Sequence, residues 1–170
     1  CRVSRFRVER QMAAGEIDWI TVSGTSKYCR IDHNDIGPQR QVGNMIMLSG
    51  VGDQTVQYTR IDHNHFHDVT YGGGNGWELI RAGLSGWTFS KAYTVIERNL
   101  FTRGDSDPET ISIKSSDNII RYNTMRATAG QFTLRHGNRT QVYGNYILGD
   151  GRGNSGLRVY GGNHKIFNNY

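Results

Sequence analysis

A short pattern recurs along this chain and restricts the possible folds more than any other feature. Each copy has an apolar residue, two variable residues and an asparagine. The asparagines are Asn34, Asn64, Asn99, Asn123, Asn145 and Asn169. Successive asparagines are 22 to 35 residues apart. A repeat with this period is typical of a solenoid in which every unit forms one coil.

The repeat predicts an all-β fold, namely a right-handed parallel β-helix of roughly six coils. An asparagine at the same bend of every coil would hydrogen-bond to the coils above and below, while the flanking Ile, Val, Phe and Met fill the interior. The 22 glycines, the 2 prolines and the lack of a leucine-rich amphipathic pattern also favour short strands joined by turns. The alternative is a β-sandwich in which such turns recur by chance.

The chain length fits one domain, residues 1–170, with a substantial core. Cys1 opens directly into a strand-like segment, and the sequence stops at Tyr170 inside a repeat unit. We therefore expect a piece of a longer β-helix, truncated at both ends. The pairing of Cys1 and Cys29 cannot be deduced from sequence alone, and we favour free or merely buried thiols over a disulfide.

The charge balance of the chain points to an acidic partner. The formal net charge is +5, which suits nucleic acid, anionic lipid or an acidic polysaccharide. No block of Lys and Arg resembles a nucleic-acid-binding arm, and no apolar run approaches the length of a membrane span. We therefore expect an acidic polysaccharide as partner, and neither nucleic acid nor a membrane.

The predicted strands also have a column of equivalent positions when they are aligned at the turns that end them. This alignment places six residues in one column: Thr21, Met47, Arg81, Lys114, Arg135 and Arg158. Neighbouring strands of a sheet lie about 4.8 Å apart, so four successive cations would repel one another. An anionic chain lying along the column would offset this repulsion. The alternative is a solvated basic edge that deters pairing with other sheets.

Lys114 is the only lysine in this predicted column. Repulsion from Arg81 and Arg135 would favour its neutral amine, the form that accepts a proton, whereas an arginine stays charged and is a poor base. An acidic turn lies just ahead of Lys114, one coil after Asn75 and Glu78, and its carboxylates are Asp105, Asp107 and Glu109. Carboxylate and amide oxygens suit a hard cation, Ca²⁺ before Mg²⁺, although most acidic loops are only solvated. A cation beside a neutral lysine predicts abstraction of a proton next to a carboxylate.

At these residues the sequence resembles polysaccharide lyase family 6, which contains β-helical alginate lyases and the related dermatan-cleaving chondroitinase B. The resemblance runs from about Tyr28 to Tyr170. Its segments are IDHNHF, NGWELIRAGLS, ERNLF, the acidic turn into ISIKSS, FTLRHGN, YGNYILGDG and GLRVYGGNHKIFNNY. The most specific part is ISIKSS followed by LRHG, with 21 residues between Lys114 and Arg135.

The resemblance implies roles for individual residues. Lys114 would be the catalytic base and Arg135 the catalytic acid. The cofactor would be Ca²⁺, held by Asn75, Asp107 and Glu109. Asp107 stands where the family has a glutamate, so its carboxylate is one methylene shorter.

Four further residues are candidates for contact with the substrate. His136 and Arg158 match family positions that touch it. Arg81 lies in the predicted basic column, and the ring of Tyr160 could stack on a sugar or only pack at a turn.

The favoured function is Ca²⁺-assisted β-elimination in a uronate-containing polymer, with alginate as substrate and dermatan sulfate as the second choice. A β-helix that binds such a polymer without cleaving it is the other function class. We expect a secreted or periplasmic location. His63, His65 and His67 alternate along one predicted strand face, where a surface or turn role is favoured over a transition-metal site.

Overall fold

The computed structural model describes residues 1–10, 15–151, 153 and 156–170. Short strands dominate this part of the chain. In chain order they are β1 (Arg2–Ser4), β2 (Arg7–Val8), β3 (Ile20–Val22), β4 (Arg30–Asp32), β5 (Asp35–Ile36), β6 (Ile46–Leu48), β7 (Gly50–Val51), β8 (Gln54–Thr55), β9 (Arg60–Asp62), β10 (His65–Thr70), β11 (Ile80–Ala82), β12 (Val95–Glu97), β13 (Leu100–Asp105), β14 (Glu109–Lys114), β15 (Ile119–Arg121), β16 (Thr124–Arg126), β17 (Gln131–His136), β18 (Gln141–Tyr143), β19 (Tyr146–Leu148), β20 (Leu157–Val159) and β21 (Lys165–Phe167).

Three parallel sheets run the length of the molecule, and the chain visits each of them once per coil. Sheet A has the order β1-β4-β9-β12-β15-β18-β21, sheet B the order β2-β5-β10-β13-β16-β19, and sheet C the order β3-β6-β11-β14-β17-β20. Strands β7 and β8 form a separate antiparallel hairpin. This arrangement is a parallel β-helix, which confirms the predicted fold class.

Helical structure is almost absent from the described ranges, where a single 3-10 turn spans Ser85–Trp87. No helix in this part of the chain has the length and apolar character needed to cross a membrane.

The core consists of columns of apolar side chains, because equivalent strands of successive coils pair in register. In sheet B, for example, Ile36 pairs with Phe66 and Phe66 with Phe101. The two phenylalanine rings stack with their centroids 4.9 Å apart. All three side chains are fully buried. Sheet A contributes a matching column of isoleucines, including Ile61 and Ile96.

The asparagines of the repeat form a continuous buried ladder at the bend between sheets A and B. Each amide nitrogen donates to the amide oxygen of the next coil, from Asn34 to Asn64 at 2.9 Å through to Asn145 to Asn169 at 2.9 Å. The same oxygen also accepts the backbone N–H of the preceding asparagine. Buried polar groups at the bend are thereby satisfied, as the sequence predicted.

Each ladder asparagine follows a residue with positive φ, which turns the chain sharply out of sheet A. These residues are His33, His63, Arg98, Tyr122, Gly144 and Asn168. Most are not glycine, so the left-handed conformation costs free energy that the ladder must outweigh.

The two cysteines form a disulfide, which corrects the expectation of free thiols. Arg2 pairs with Arg30 in the parallel register of β1 and β4. Cys1 and Cys29 immediately precede this pair, and their Cα atoms lie 4.5 Å apart. Their separation of 28 residues is close to one early coil, so the register of the repeat brings them together.

We expect Asn99→Ala to lower the free energy of unfolding by about 3 kcal/mol, because it leaves several buried partners without a hydrogen bond. Asn99 donates to the carbonyl of Ile61 and to Asn123, and accepts from Asn64. Urea unfolding followed by circular dichroism would measure the loss.

Asn169→Ala is the matched control, since Asn169 lies at the end of the described ladder and is exposed. Its loss should be clearly smaller. Equal losses at Asn99 and Asn169 would contradict a stabilising role for the buried ladder.

Candidate active site

The candidate site lies on the outer face of sheet C, whose inner face fills the core. Inward residues alternate with outward ones along each strand. Ile80, Ile111, Phe132 and Leu157 pair across four successive coils and fix the register.

This register corrects the predicted basic column. The outward column that contains Arg81 is Thr21, Met47, Arg81, Ser112, Thr133 and Arg158. Lys114 and Arg135 lie two residues further along their strands. Alignment at the turns was misleading because β14 and β17 are each six residues long, whereas β11 and β20 have three. Lys114 is therefore not flanked by Arg81 and Arg135 in one column, and that argument for a neutral amine does not hold.

An irregularity at the ends of β14 and β17 positions the two predicted catalytic residues. Ile113 pairs with Leu134, but the next pair is Lys114 with His136. Arg135 is thus the extra residue of a β-bulge, a device that redirects a side chain at the edge of a regular ladder. Lys114, Arg135 and His136 consequently meet at one end of sheet C.

Glycines allow the backbone to pass close to Lys114. Gly83, which follows β11, has φ +95°, and a Cβ there would lie 2.9 Å from the carbonyl oxygen of Lys114. Gly137, which follows β17, has φ +91°, and a Cβ there would lie 2.1 Å from the carbonyl oxygen of Ser115. Any side chain at these positions would collide with backbone at the end of β14.

Lys114 is buried against a carboxylate that the sequence analysis did not assign to the site. Its side chain is 8% exposed, and its Nζ lies 3.5 Å from Oε1 of Glu78. Glu78 is 1% exposed, and neither of its carboxylate oxygens accepts a hydrogen bond within the described structure. Arg81 Nε lies 3.9 Å from the same Oε1. Glu78 thus faces two cations without a hydrogen bond to either.

Asp107 is the second buried carboxylate of the cluster. It accepts the backbone N–H of Glu109 at 2.9 Å and that of Trp77 at 3.5 Å. Burial raises the pKa of Asp107, and the charge of Glu109 adds to the rise, although these backbone hydrogen bonds oppose it. Burial and the charge of Asp107 likewise raise the pKa of Glu78, against the attraction of Arg81 and Lys114.

Glu109, at the start of β14, connects the acidic turn to the arginines. Its carboxylate accepts hydrogen bonds from Ser112 and from Arg158. Arg135 Nε lies 3.5 Å from its Oε1. The guanidinium groups of Arg135 and Arg158 also lie over the ring of Tyr160, at 5.3 and 5.6 Å from its centroid. The predicted residues Glu109, Arg135, Arg158 and Tyr160 therefore form one contiguous surface.

The remaining predicted residues are His136 and Asn75. His136 is partly buried, and its pKa is lowered by burial and by the positive charges of Arg135 and Lys114. Asn75 is exposed in the loop before β11. Two residues later Trp77 contacts Asp107, so the loop of Asn75 adjoins the acidic turn.

A divalent cation would fit this acidic cluster on chemical grounds. Glu78 offers two buried oxygens that accept no hydrogen bond within the described structure. The carboxylate of Asp107 lies close enough to repel that of Glu78. Oxygen donors of this kind suit Ca²⁺. Glu109 is a less available ligand, because Arg158 and Ser112 already bond to it.

Both the sequence and the fold are similar to those of known polysaccharide lyases. A family model described as chondroitinase B matches residues 3–170. No curated protein matches the sequence. Among solved structures, the family 6 alginate lyase AlyGC shares 32% identity over 99% of this chain, with a TM-score of 0.89.

Two further solved structures are similar. A mannuronic acid specific family 6 lyase from human gut microbiota shares 31% identity over 89% of this chain, with a TM-score of 0.77. The alginate lyase AlyF-OU02, in complex with G6, shares 29% identity over 92%, with a TM-score of 0.82. The chain spans 24%, 34% and 34% of the length of these three proteins, respectively.

We expect Glu78→Gln to stabilise the calcium-free protein at neutral pH. The folded pKa of Glu78 is raised, so its ionised form costs stability once the pH exceeds the unfolded value of about 4.3, and the full cost is present above the folded pKa. The melting temperature of the variant should exceed that of the wild type at pH 7. The difference should vanish below about pH 4.

Glu9→Gln is the control, because Glu9 is a half-exposed carboxylate remote from the site. It should leave the pH profile of the melting temperature unchanged. A Glu78→Gln protein that is less stable than wild type at pH 7 would show that attraction to Lys114 and Arg81 outweighs the cost of burial.

Proposed function

Because the chain belongs to the chondroitinase B family, which is polysaccharide lyase family 6, we propose that it cleaves a uronate-containing acidic polysaccharide by β-elimination. The observation that carries the proposal is the meeting of Lys114, Arg135 and His136 at the bulged end of β14 and β17. Alginate is the proposed substrate, since the similar structures include alginate lyases. Dermatan sulfate is the second candidate, because the matching family model is described as chondroitinase B.

Lys114 is the proposed general base. In the reaction it takes the proton from C5 of the uronate, the electron pair forms a C4–C5 double bond, and the bond from C4 to the leaving oxygen O4 breaks. A lysine suits this role because an amine can serve as a general base, whereas a guanidinium is a far poorer one. Burial of the Lys114 side chain beside Glu78 holds its Nζ in one position.

Arg135 is the proposed partner at the leaving oxygen. It stabilises the negative charge that develops on O4 and delivers a proton either directly or through water. Its guanidinium is 41% exposed and stacks over Tyr160, so it faces the side from which a polymer would approach. His136, Arg158, Arg81 and Tyr160 are the proposed substrate-binding residues, with the cations directed at carboxylates and the ring at a sugar face.

Ca²⁺ is the proposed cofactor, held by Asp107, Glu109 and Asn75 together with Glu78. When bound, it would neutralise the uronate carboxylate and so make the C5 proton more acidic. Arg158 already bonds to the carboxylate of Glu109, so Ca²⁺ and Arg158 would compete for it. A bound ion would leave Arg158 freer to contact the substrate.

We also propose a secreted or periplasmic location. Disulfides persist in oxidising compartments, and Cys1 and Cys29 are joined. A polymer substrate outside the cell is consistent with such a location.

A non-catalytic β-helix that only binds acidic polysaccharide is the second candidate function. The observation that favours it is that Glu109, a proposed calcium ligand, is already bonded to Ser112 and Arg158. A binding module would need the basic surface of Arg135, Arg158 and Tyr160 but not a base at Lys114.

We expect Lys114→Ala to reduce cleavage of alginate by at least about 100-fold, because the general base is lost. The measurement is the ultraviolet absorbance of the unsaturated uronate formed on elimination, with dermatan sulfate tested in parallel. Lys91→Ala, at an exposed lysine of the preceding coil, is the matched control and should retain full activity. Absence of any absorbance change with either polymer, together with retained binding, would favour the non-catalytic function.

Calcium dependence forms a separate prediction. EGTA should abolish cleavage, and added Ca²⁺ should restore it. Asp107→Asn should raise the Ca²⁺ concentration needed for half-maximal rate by about tenfold or more, because a charged ligand becomes neutral. Asp105→Asn is the control, since Asp105 accepts the backbone N–H of Ala129. An Asp107→Asn enzyme with unchanged calcium dependence would exclude Asp107 as a ligand.

A further inference from the structure

The outer face of sheet B carries a cluster that the proposed lyase chemistry does not use. His65 and His67 are alternate residues of β10, so both side chains leave the same face, while Phe66 between them is buried in the core. Asp35 of β5 is the register partner of His65 in the preceding coil. Two imidazoles and a carboxylate from two adjacent strands therefore converge.

The alternation of histidines in the sequence predicted that His63 would share this face, and that prediction was wrong. His63 lies in the bend before β10, with φ +55°. Its ring stacks on that of His33 in the preceding coil, with centroids 4.9 Å apart. Asp35, on the neighbouring strand, is therefore the third side chain of the cluster.

Two of the three distances within the cluster are close to those between ligand atoms around a tetrahedral ion. Oδ1 of Asp35 lies 3.2 Å from Nδ1 of His65 and 3.2 Å from Nε2 of His67. One ligand atom from each of the three residues can be chosen so that all lie within 4.8 Å of one another. Zinc bonds of about 2.1 Å at tetrahedral angles separate neighbouring ligand atoms by about 3.4 Å.

The second nitrogen of each imidazole already has a hydrogen-bonding partner. Nδ1 of His67 lies 2.7 Å from Oδ2 of Asp68, and Nε2 of His65 lies 2.8 Å from Oγ1 of Thr102. A carboxylate or hydroxyl behind a ligating histidine fixes the tautomer and the ring orientation. Both rings therefore present their remaining nitrogens toward Asp35.

His67 has a buried nitrogen that hydrogen bonding within the described structure leaves unsatisfied. Its side chain is 13% exposed, and its Nε2 has no hydrogen-bond partner although Asp35 is close. Gly37 packs against the same ring, where a Cβ would lie 3.1 Å from ring carbons of His67. A buried nitrogen without a hydrogen bond costs free energy, and a metal ion would supply the missing partner.

The charges around the cluster favour neutral imidazole at His65. Burial lowers the pKa of His65, and the neighbouring His67 and Arg103 lower it further, against the attraction of Asp35. Arg103 binds Asp68 and, with His67, holds the pKa of that carboxyl at about 2. Asp68 is therefore ionised and can support His67 from behind. Metal binding requires the neutral imidazole.

We propose that Asp35, His65 and His67 form a zinc-binding site that clamps β5 to β10 on the face of the β-helix formed by sheet B. Two nitrogens and one oxygen are a ligand set that zinc accepts, and water can take the fourth position. This site is separate from the acidic cluster, which offers only oxygen ligands. Its role is structural, because it joins two consecutive coils.

The test is zinc binding by untagged protein in excess Ca²⁺, which occupies the acidic cluster. Isothermal titration calorimetry should show one Zn²⁺ per chain, and Co²⁺ should give the visible absorption of a tetrahedral site. His67→Ala should weaken zinc binding by at least 100-fold. His63→Ala is the matched control and should bind zinc as the wild type does.

Asp35→Asn provides a second variant, because it keeps the size of the side chain and removes only the charge. Zinc should raise the melting temperature of the wild type and of His63→Ala, but not that of His67→Ala or Asp35→Asn. Failure of the wild type to bind Zn²⁺ at micromolar concentrations would overturn the proposal. So would zinc binding that survives in both His67→Ala and Asp35→Asn.

Discussion

The hydrogen-bonded ladder of asparagine amides is the interaction on which the rest of this structure depends. Between the two ends of the ladder, each amide oxygen accepts two N–H groups from the preceding coil, and each amide nitrogen donates both along the ladder and to a backbone carbonyl. A slip of one residue would break these bonds in every coil, because the side chain would then point out of the bend. The ladder thereby fixes the spacing of sheet C as well, since all three sheets belong to the same coils.

The ladder was visible in the sequence, whereas the register of sheet C was predicted incorrectly. Fold class and coil number follow from the asparagine period, because a buried amide tolerates little substitution at its bend. The predicted basic column was wrong at Lys114 and Arg135, because strand length varies between coils there. An alignment on the inward-facing apolar residues of each strand, such as Ile111 and Ile113 of β14, would have given the observed register. The bulge at Arg135 leaves no comparable pattern, since it depends on how two neighbouring strands end.

The sequence identified most of the residues in the site but not the contacts between them. Lys114 and Arg135 do meet at one edge, although through a bulge and not through a shared column. Glu78 was placed near the acidic turn but was not assigned a role, because its importance lies in burial beside Lys114, which a single glutamate in a strand-like segment does not indicate. The Cys1–Cys29 disulfide was also missed, although its separation is close to the coil period and the register brings it together.

The distribution of stability across the molecule explains how the site can hold unfavourable charges. Glu78 and Asp107 are both buried, and burial raises the pKa of each carboxyl, so their ionised forms cost the folded state stability. The neutral, hydrogen-bonded amides of the asparagine ladder lie at the bend between sheets A and B, and they contribute stability that does not depend on pH. Because every coil repeats that contribution, a strained acidic cluster at two coils can be tolerated. A cation or a bound polymer would then act on a scaffold that is already ordered, so its binding free energy need not be spent on folding.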